Sequence, residues 1–496
     1  MPEENKLPLK ARIVALPKPI HGGLIRETAQ RCDIAESDIL DLSASLNPMG
    51  NPFDHPSTGL SLDTILMKAT GHFAQYPDNR YLEFKYAAAR FLGQGVDHIN
   101  IIPGNGSCEI IRLVAECMLE ENDVVLIPQP TFAEYEQQCR LVGADIQYLD
   151  QDELFEVSDE LLDQAKILFV CNPNNPTGRL IERDRLKTLA SRCTAHQTLL
   201  FVDEAFIELA DPDQSIADLA AADDHVFVMR SLTKNFAIPG VRLGFGVASP
   251  DMAMSLNTAR LPWNLGSIPD MIGTALLNMD GGCNSSYLVR SRALIEEDRE
   301  YLIERLSKVR RFRPLSSSVN YVLVDLSESS IDSVDLSQRL ASQGILVRDC
   351  RSFPGLGNDF IRVAVRSRTE TDRLTKAIGV AVVGDARDTA MKKLNHMIEE
   401  GKGKPLGGNT ACPYYPCHFP GQDCTFCFCP FYPCKDERTG GKWIERSSGG
   451  KVWSCEDCTL VHRPENVQAI LDDLIGDGSM DERLAKAWDR VVKPLL

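Results

Sequence analysis

Between Leu40 and about Val382, short apolar runs alternate with stretches whose apolar positions recur with helical spacing. The runs Val124–Pro128, Ile167–Asn172, Thr198–Asp203, Val226–Arg230 and Leu243–Ala248 read as strands. Several are apolar without alternation, as expected of strands covered on both faces, so they predict a mostly parallel sheet between helices. An amphipathic helix is expected over Glu109–Leu119. A second group, Tyr321–Asp325, Ile345–Arg348 and Phe360–Val365, is interspersed with helical segments and predicts a smaller α+β domain.

After Val383 the pattern becomes a charged helical stretch, then the Gly/Lys-rich string 401–408, whose composition suits a flexible linker. A cysteine-rich module follows, in which Cys412-Pro-Tyr-Tyr-Pro-Cys417 recurs as Cys429-Pro-Phe-Tyr-Pro-Cys434. The expected organisation is an N-terminal arm (1–40), a large domain (41–275), a small domain (276–385), a linker (386–410), the module (411–463) and a helical tail (464–496).

Composition narrows the function. A net charge of −17 argues against general affinity for nucleic acid, leaving small anions bound by a few local arginines. No stretch approaches the roughly 18 to 20 uncharged apolar residues of a membrane span. Met1–Arg12 lacks the apolar run of a secretory signal, so the expected location is the cytoplasm. Of 16 cysteines, eight are scattered between Cys32 and Cys350 and eight crowd into Cys412–Cys458. In a chain with no export signal, such crowding predicts metal binding before disulfides.

Four strings, each at a predicted strand end, carry candidate chemistry. Ser231-Leu-Thr-Lys234 follows a strand and precedes Arg242; by itself such a lysine is an ordinary surface charge. Asp203-Glu-Ala-Phe206 puts a carboxylate at a carboxyl-terminal strand end, where α/β proteins bind ligands. Asn172-Pro-Asn-Asn175-Pro-Thr-Gly178 reads otherwise as a turn. Gly104-Asn105-Gly106-Ser107 precedes the amphipathic helix, where backbone amides and the helix dipole favour a phosphate. Together they describe a site for pyridoxal phosphate (PLP). Lys234 would form the Schiff base, Asp203 keep the pyridine nitrogen protonated, and Asn175 donate to the phenolic oxygen.

In this order the strings resemble the fold-type I PLP-dependent aminotransferase superfamily over roughly Pro17–Val382, a fold with a large mostly parallel domain and a smaller α+β domain. Within that superfamily the chain looks like the branch holding histidinol-phosphate aminotransferases and the threonine-phosphate decarboxylases of cobalamin synthesis. Strings that favour the decarboxylases are His21-Gly-Gly23, Asp41-Leu-Ser-Ala-Ser-Leu-Asn47-Pro48, Phe132-Ala-Glu-Tyr135, Asp203-Glu-Ala-Phe206, and Arg348-Asp-Cys-Arg351 through Arg362-Val-Ala-Val-Arg366. The resemblance implies that Phe132 stacks on the cofactor ring and that Ser231 and Arg242 grip its phosphate. It also implies that Tyr76 reaches the phosphate of a partner subunit, hence a homodimer. Arg362 would take the substrate carboxylate and Arg348 its phosphate, with His21 and Asn47 also at the substrate. The chain departs from the pattern at Ser45, where asparagine is common, and at Phe206, where the aminotransferases carry tyrosine.

The implied reaction is decarboxylation of L-threonine O-3-phosphate to (R)-1-amino-2-propanol phosphate. The alternative is transamination of a phosphorylated amino acid such as histidinol phosphate. In the module, Cys412, Cys417, Cys424, Cys427, Cys429, Cys434, Cys455, Cys458 and His462 offer ligands for zinc or an iron–sulfur cluster. Its expected role is structural, redox-regulatory or catalytic. Threonine phosphorylation would suit the last, although no Gly-x4-Gly-Lys-Ser/Thr loop occurs in the chain.

Overall fold

The structure, a computed structural model, describes residues 10–16, 22–93, 95–329, 331–382, 404–412, 415–427, 429–445, 451–475 and 478–496. The chain divides into two compact units, Met1–Leu374 and Thr375–Leu496.

Seven strands form the main sheet of the first unit among the described residues: β1 (Ile101–Gly104), β2 (Val124–Gln129), β3 (Asp145–Asp150), β4 (Ala165–Cys171), β5 (Leu199–Asp203), β6 (Val226–Ser231) and β7 (Gly244–Val247). Their order is β1-β7-β6-β5-β4-β2-β3, and β7 runs opposite to the rest. The uninterrupted apolar runs have the cause expected of them, because successive residues face separate cores. Ile167, Phe169, Leu199 and Phe201 join one buried cluster, while Leu168, Val170, Leu200 and Val202 join the other. On one face, Tyr135, Phe169, Phe201 and Phe227 stand side by side with neighbouring ring centroids 4.8 to 5.0 Å apart. The register Phe169, Phe201, Phe227 across β4, β5 and β6 puts them in one row.

A smaller antiparallel sheet is built from β8 (Arg313–Pro314), β9 (Tyr321–Asp325), β10 (Arg348–Asp349) and β11 (Phe360–Ala364), in the order β10-β11-β9-β8. The single strand expected over Ile345–Arg348 is instead two short ones. Ile345–Leu346 pairs in parallel with Leu40–Asp41, whereas Arg348–Asp349 pairs with β11. The chain changes partner at Val347, and alternation of apolar residues carries no signal for such a switch.

In the second unit, β12 (Lys442–Glu445) and β13 (Lys451–Ser454) form a hairpin with Trp443 opposite Trp453. Phe426 and Val461 share a core with Val467, Ile470, Leu471 and Leu474 of one helix and with Ala487 and Val492 beyond it, so the helical tail packs on the cysteine-rich segment. Ser479 and Glu482 cap the helix Met480–Ala487 reciprocally. Most of the expected linker, residues 386–403, lies outside the described residues. Among the described residues no helix is long and apolar enough to cross a membrane.

Candidate active site

Register brings the four strings to one end of the main sheet. Gly104 is opposite Gly244, Gly244 opposite Ser231, and Cys171 opposite Asp203. The main chain continues the row, with Asn172 N–H donating to Asp203 O at 2.8 Å and Glu204 N–H to Met229 O at 2.9 Å.

Lys234 lies on the one-turn helix Leu232–Asn235 directly after β6. Burial, then the neighbouring positive charges of Arg362 and Arg242, push its amine down to about 8. An amine depressed in this way is partly neutral near pH 8 and therefore nucleophilic. Arg242 sits in the left-handed region at φ 56° and lies over Gly106; a Cβ there would stand 2.7 Å from its Nη2. Gly106 thus lets the guanidinium close on the Gly104–Ser107 turn. Ser231 and Thr233 share a hydroxyl–hydroxyl hydrogen bond of 2.8 Å. Helix Ser107–Met118 starts at this turn and directs its first free N–H groups there. Not every amide of the turn is available, since that of Asn105 donates to Glu109 Oε2 at 2.6 Å.

Asp203 is buried, and burial raises its carboxyl to about 6. Its Oδ2 accepts from the Tyr135 hydroxyl at 2.5 Å and its Oδ1 from Ala205 N–H at 2.9 Å. Tyr135, the end of the aromatic row, is thereby a partner for Asp203 that nothing in its string announces. Phe132 meets Tyr135 edge-on with centroids 5.7 Å apart.

Arg348 and Arg362 face each other across β10 and β11, each 7% exposed. Arg362 donates to Asn175 Oδ1 and to Ser43 O (2.9 Å), and its Cζ lies 5.0 Å from the Tyr321 ring centroid. Arg348 donates to Ser352 Oγ at 2.7 Å; burial, then Arg362, lowers it to about 10. Asn175, with its oxygen engaged by Arg362, keeps its amide N–H groups for another acceptor. Tyr321 and Arg366 were not assigned from sequence. Tyr321 donates to Asn174 O at 2.9 Å, and Arg366 donates to Leu46 O, Ala44 O and Asp41 O, shaping the segment beside Arg362.

His21 lies outside the described residues. The arm resumes at Gly22 and Gly23, where Gly23 N–H donates to Ser43 Oγ at 2.8 Å. Asn47, expected at the substrate, turns inward instead: its amide donates to Asn235 O, Tyr287 Oη and Ser291 Oγ, while its N–H donates to Lys234 O at 3.1 Å. These bonds fix the helix that carries Lys234. Beside it, buried Arg230 pairs with Glu204 at 2.9 Å and with Glu208, and Asn235 donates to Glu208 at 2.5 Å. Ser45 is buried with its hydroxyl unpartnered among the described residues. Tyr76 is 79% exposed and stacks on Trp263, with centroids 4.5 Å apart.

These residues fit PLP: a turn opened by Gly106 under Arg242 for a phosphate, a buried carboxylate for a ring nitrogen, and a depressed lysine amine between them. In the second unit the donors suit a thiophilic ion in kind. Gln422 donates to Cys417 Sγ at 3.1 Å, and the Cys429, Cys455 and Cys458 thiols are pushed up by burial first and then by neighbouring cysteines, Cys434 lying close to all three. Their placement does not complete a site, since among the described residues no three His, Cys, Asp or Glu side chains are arranged to hold a metal ion.

Residues 37–378 match the family model described as aminotransferase class I and II, and the chain belongs to that family. It is an enzyme of the PLP-dependent aminotransferase class with the fold-type I architecture. It is 32% identical to threonine-phosphate decarboxylase of Salmonella typhimurium over 380 residues, 75% of this chain and 99% of the relative. It is similarly close to histidinol-phosphate aminotransferase of Methanosarcina mazei, at 30% over 379 residues, 75% of this chain and 96% of the relative. Among solved structures, histidinol-phosphate aminotransferase of Clostridium acetobutylicum superposes with a TM-score of 0.61 at 26% identity, covering 70% of this chain and 100% of that one. Residues 405–483 match a second model, described as a cysteine-rich small domain.

Proposed function

We propose that this enzyme decarboxylates L-threonine O-3-phosphate, giving (R)-1-amino-2-propanol phosphate, the linker precursor of the cobalamin nucleotide loop. The observation that carries the reading is the facing pair Arg348 and Arg362. Two buried guanidiniums opposite each other repel, and a substrate bearing both a carboxylate and a phosphate would relieve the repulsion while matching each to a planar donor.

When bound, PLP supplies an aldehyde for the substrate amine and a protonated ring that accepts the electron pair left on the α-carbon. Lys234 holds the cofactor and, once displaced, stands ready to return a proton to the α-carbon. Asp203, held by Tyr135, keeps the proton on the pyridine nitrogen. Asn175 donates to the phenolic oxygen while its own oxygen steadies Arg362. Phe132 would cover the ring, and Ser231, Arg242 and the Gly104–Ser107 turn would grip the phosphate. Arg362 and Arg348 together would hold the substrate by its carboxylate and phosphate and so orient the bond from the α-carbon to the carboxylate for cleavage, with carbon dioxide as the leaving group.

Transamination of a phosphorylated amino acid is the second reading, favoured by the equal closeness of the aminotransferase relatives. Phe206 speaks for decarboxylation, since it removes a hydroxyl that the aminotransferases offer the cofactor. Incubating the PLP-loaded protein with threonine phosphate and following carbon dioxide against keto acid separates the two. Keto acid without carbon dioxide would overturn the first reading.

The dimer belongs to the same proposal. Exposed Tyr76, Trp263, Phe73, Met67 and Leu261 give an apolar surface suited to a second copy, and Tyr76 would then complete the neighbouring site. The chain would work in the cytoplasm, with no nucleic acid or membrane partner. The cysteine-rich unit would hold zinc or an iron–sulfur cluster, for which Cys429, Cys434, Cys455 and Cys458 are the nearest set.

A further inference from the structure

A cavity of about 550 Å³ opens beside the helix Pro250–Ala259, and none of the residues lining it is among those assigned to PLP or substrate. Arg80, Lys85 and Arg260 converge on it, and Leu82, Ile99 and Met254 form apolar wall. Its volume is that of a small-metabolite site.

The charges are unusual for this chain. Its sequence carries 70 acidic and 53 basic side chains, yet three basic groups line this cavity against one carboxylate, Asp251. Lys85 is partly buried, and burial, then Arg260 and Arg80, push its amine down to about 8. Asp78 is the carboxylate that opposes this shift. Among the described residues neither the Lys85 amine nor the Arg80 guanidinium has an ion pair or hydrogen-bond partner. Arg260 is 7% exposed, with its Nε unpartnered. The other charged groups on the cavity are Asp251 at the rim and His98, whose Nδ1 pairs with Asp97 at 2.6 Å. Like charges held together raise the free energy of the cavity, and an anion would lower it.

We infer that this cavity binds a phosphate-bearing metabolite and that occupancy is felt at the cofactor turn. The route is a short hydrogen-bonded chain. Arg260 donates to Asn264 Oδ1; Asn264 Nδ2 donates to Glu109 Oε2 at 2.7 Å and to Pro103 O at 3.1 Å; Glu109 Oε2 also accepts from Asn105 N–H at 2.6 Å. Asn105 lies within the turn assigned above to the PLP phosphate, so this second half of the inference rests on that assignment. An anion that draws Arg260 toward the cavity changes its hold on Asn264, and through Glu109 the set of amides presented at the turn. By linkage, the effect on PLP affinity and the effect of PLP on the anion are equal.

Inorganic pyrophosphate is the probe, titrated calorimetrically into the PLP-loaded protein at constant ionic strength, so that screening alone cannot mimic binding. The Arg348→Ala protein serves as background, because it lacks the arginine proposed for substrate phosphate. Binding is expected in both, and Arg80→Gln with Lys85→Met should weaken it more than tenfold. Unchanged binding in that double variant, or no binding in the parent, would overturn the site. Should the double variant not fold, Asp251→Asn decides: tighter binding supports the site, and equal or weaker binding overturns it. For the relay, pyrophosphate should shift the PLP dissociation constant several-fold in the parent and not in Glu109→Gln. Binding with no such shift in the parent would overturn the relay and keep the cavity. If PLP itself did not bind, pyrophosphate binding to the unloaded protein would still report on the cavity, so the two failures are distinguishable.

Discussion

Arg348 and Arg362 differ in what they are expected to grip, and that difference can be measured. Losing a hydrogen bond to a charged group costs about 1.5 to 3 kcal/mol. Arg348→Ala should therefore weaken threonine phosphate by that amount and leave threonine nearly unchanged, whereas Arg362→Ala should weaken both. Equal losses for both ligands in Arg348→Ala would remove it from the phosphate site. Lys234 gives a second test at this scale. Only the neutral amine attacks an aldehyde, and burial with Arg362 and Arg242 brings its pKa to about 8. Capture of PLP by the unloaded protein should accelerate as pH rises and level off near pH 8 rather than near the ordinary lysine value. Removing a positive neighbour raises a lysine pKa, so Arg362→Gln should move the plateau upward in stopped-flow traces. A plateau that stayed in place would mean that Arg362 does not act on Lys234.

At the scale of elements, the aromatic row delivers the Tyr135 hydroxyl to Asp203. Tyr135→Phe keeps the stacking and deletes one hydrogen bond, so PLP should bind weaker by about 1.5 kcal/mol, roughly tenfold, in equilibrium dialysis. Beneath the sheet end, Arg230→Met would strand Glu204 and Glu208 as buried charges and should cost about 3 to 5 kcal/mol, read from denaturant midpoints. Little of this was legible beforehand. Five of the seven strands of the main sheet were, because an apolar run covered on both faces leaves a plain signature, and so was the placing of Asp203 and Lys234 at strand ends, because their strings abut those runs; the short β1 and the largely exposed β3 were not. The reversal of β7 was not, since an antiparallel strand buried on both faces reads like a parallel one. Nor were Tyr135, Tyr321, Arg366 or the Arg230 network, whose partners are distant in sequence. Asn47 shows the same limit: nothing in its string says that the amide turns toward Asn235, Tyr287 and Ser291.

For the whole molecule, every residue assigned to PLP and substrate falls in Met1–Leu374, and the clustered cysteines fall in Thr375–Leu496. A chain ending near Asp385 should therefore retain PLP, while elemental analysis of the intact chain should find metal that the shortened one lacks. Equal metal in both would move the site out of the cysteine-rich unit, and loss of PLP from the shortened chain would overturn the boundary.

Tyr76, outward-facing on Trp263, carries a consequence for mixtures of chains. If each subunit lends its Tyr76 to the other's site, a chain lacking Lys234 and a chain lacking Tyr76 are each inactive as homodimers. Their heterodimer is not. One of its two sites receives the intact lysine from one chain and the intact tyrosine from the other. Dissociating and reassociating equal amounts of Lys234→Ala and Tyr76→Ala protein should place half the dimers in mixed form and restore about a quarter of all sites. In a cell holding both alleles, two recessive defects would complement within one gene, and a Lys234 variant in excess would cost its wild-type neighbour no more than the one site built on its own lysine.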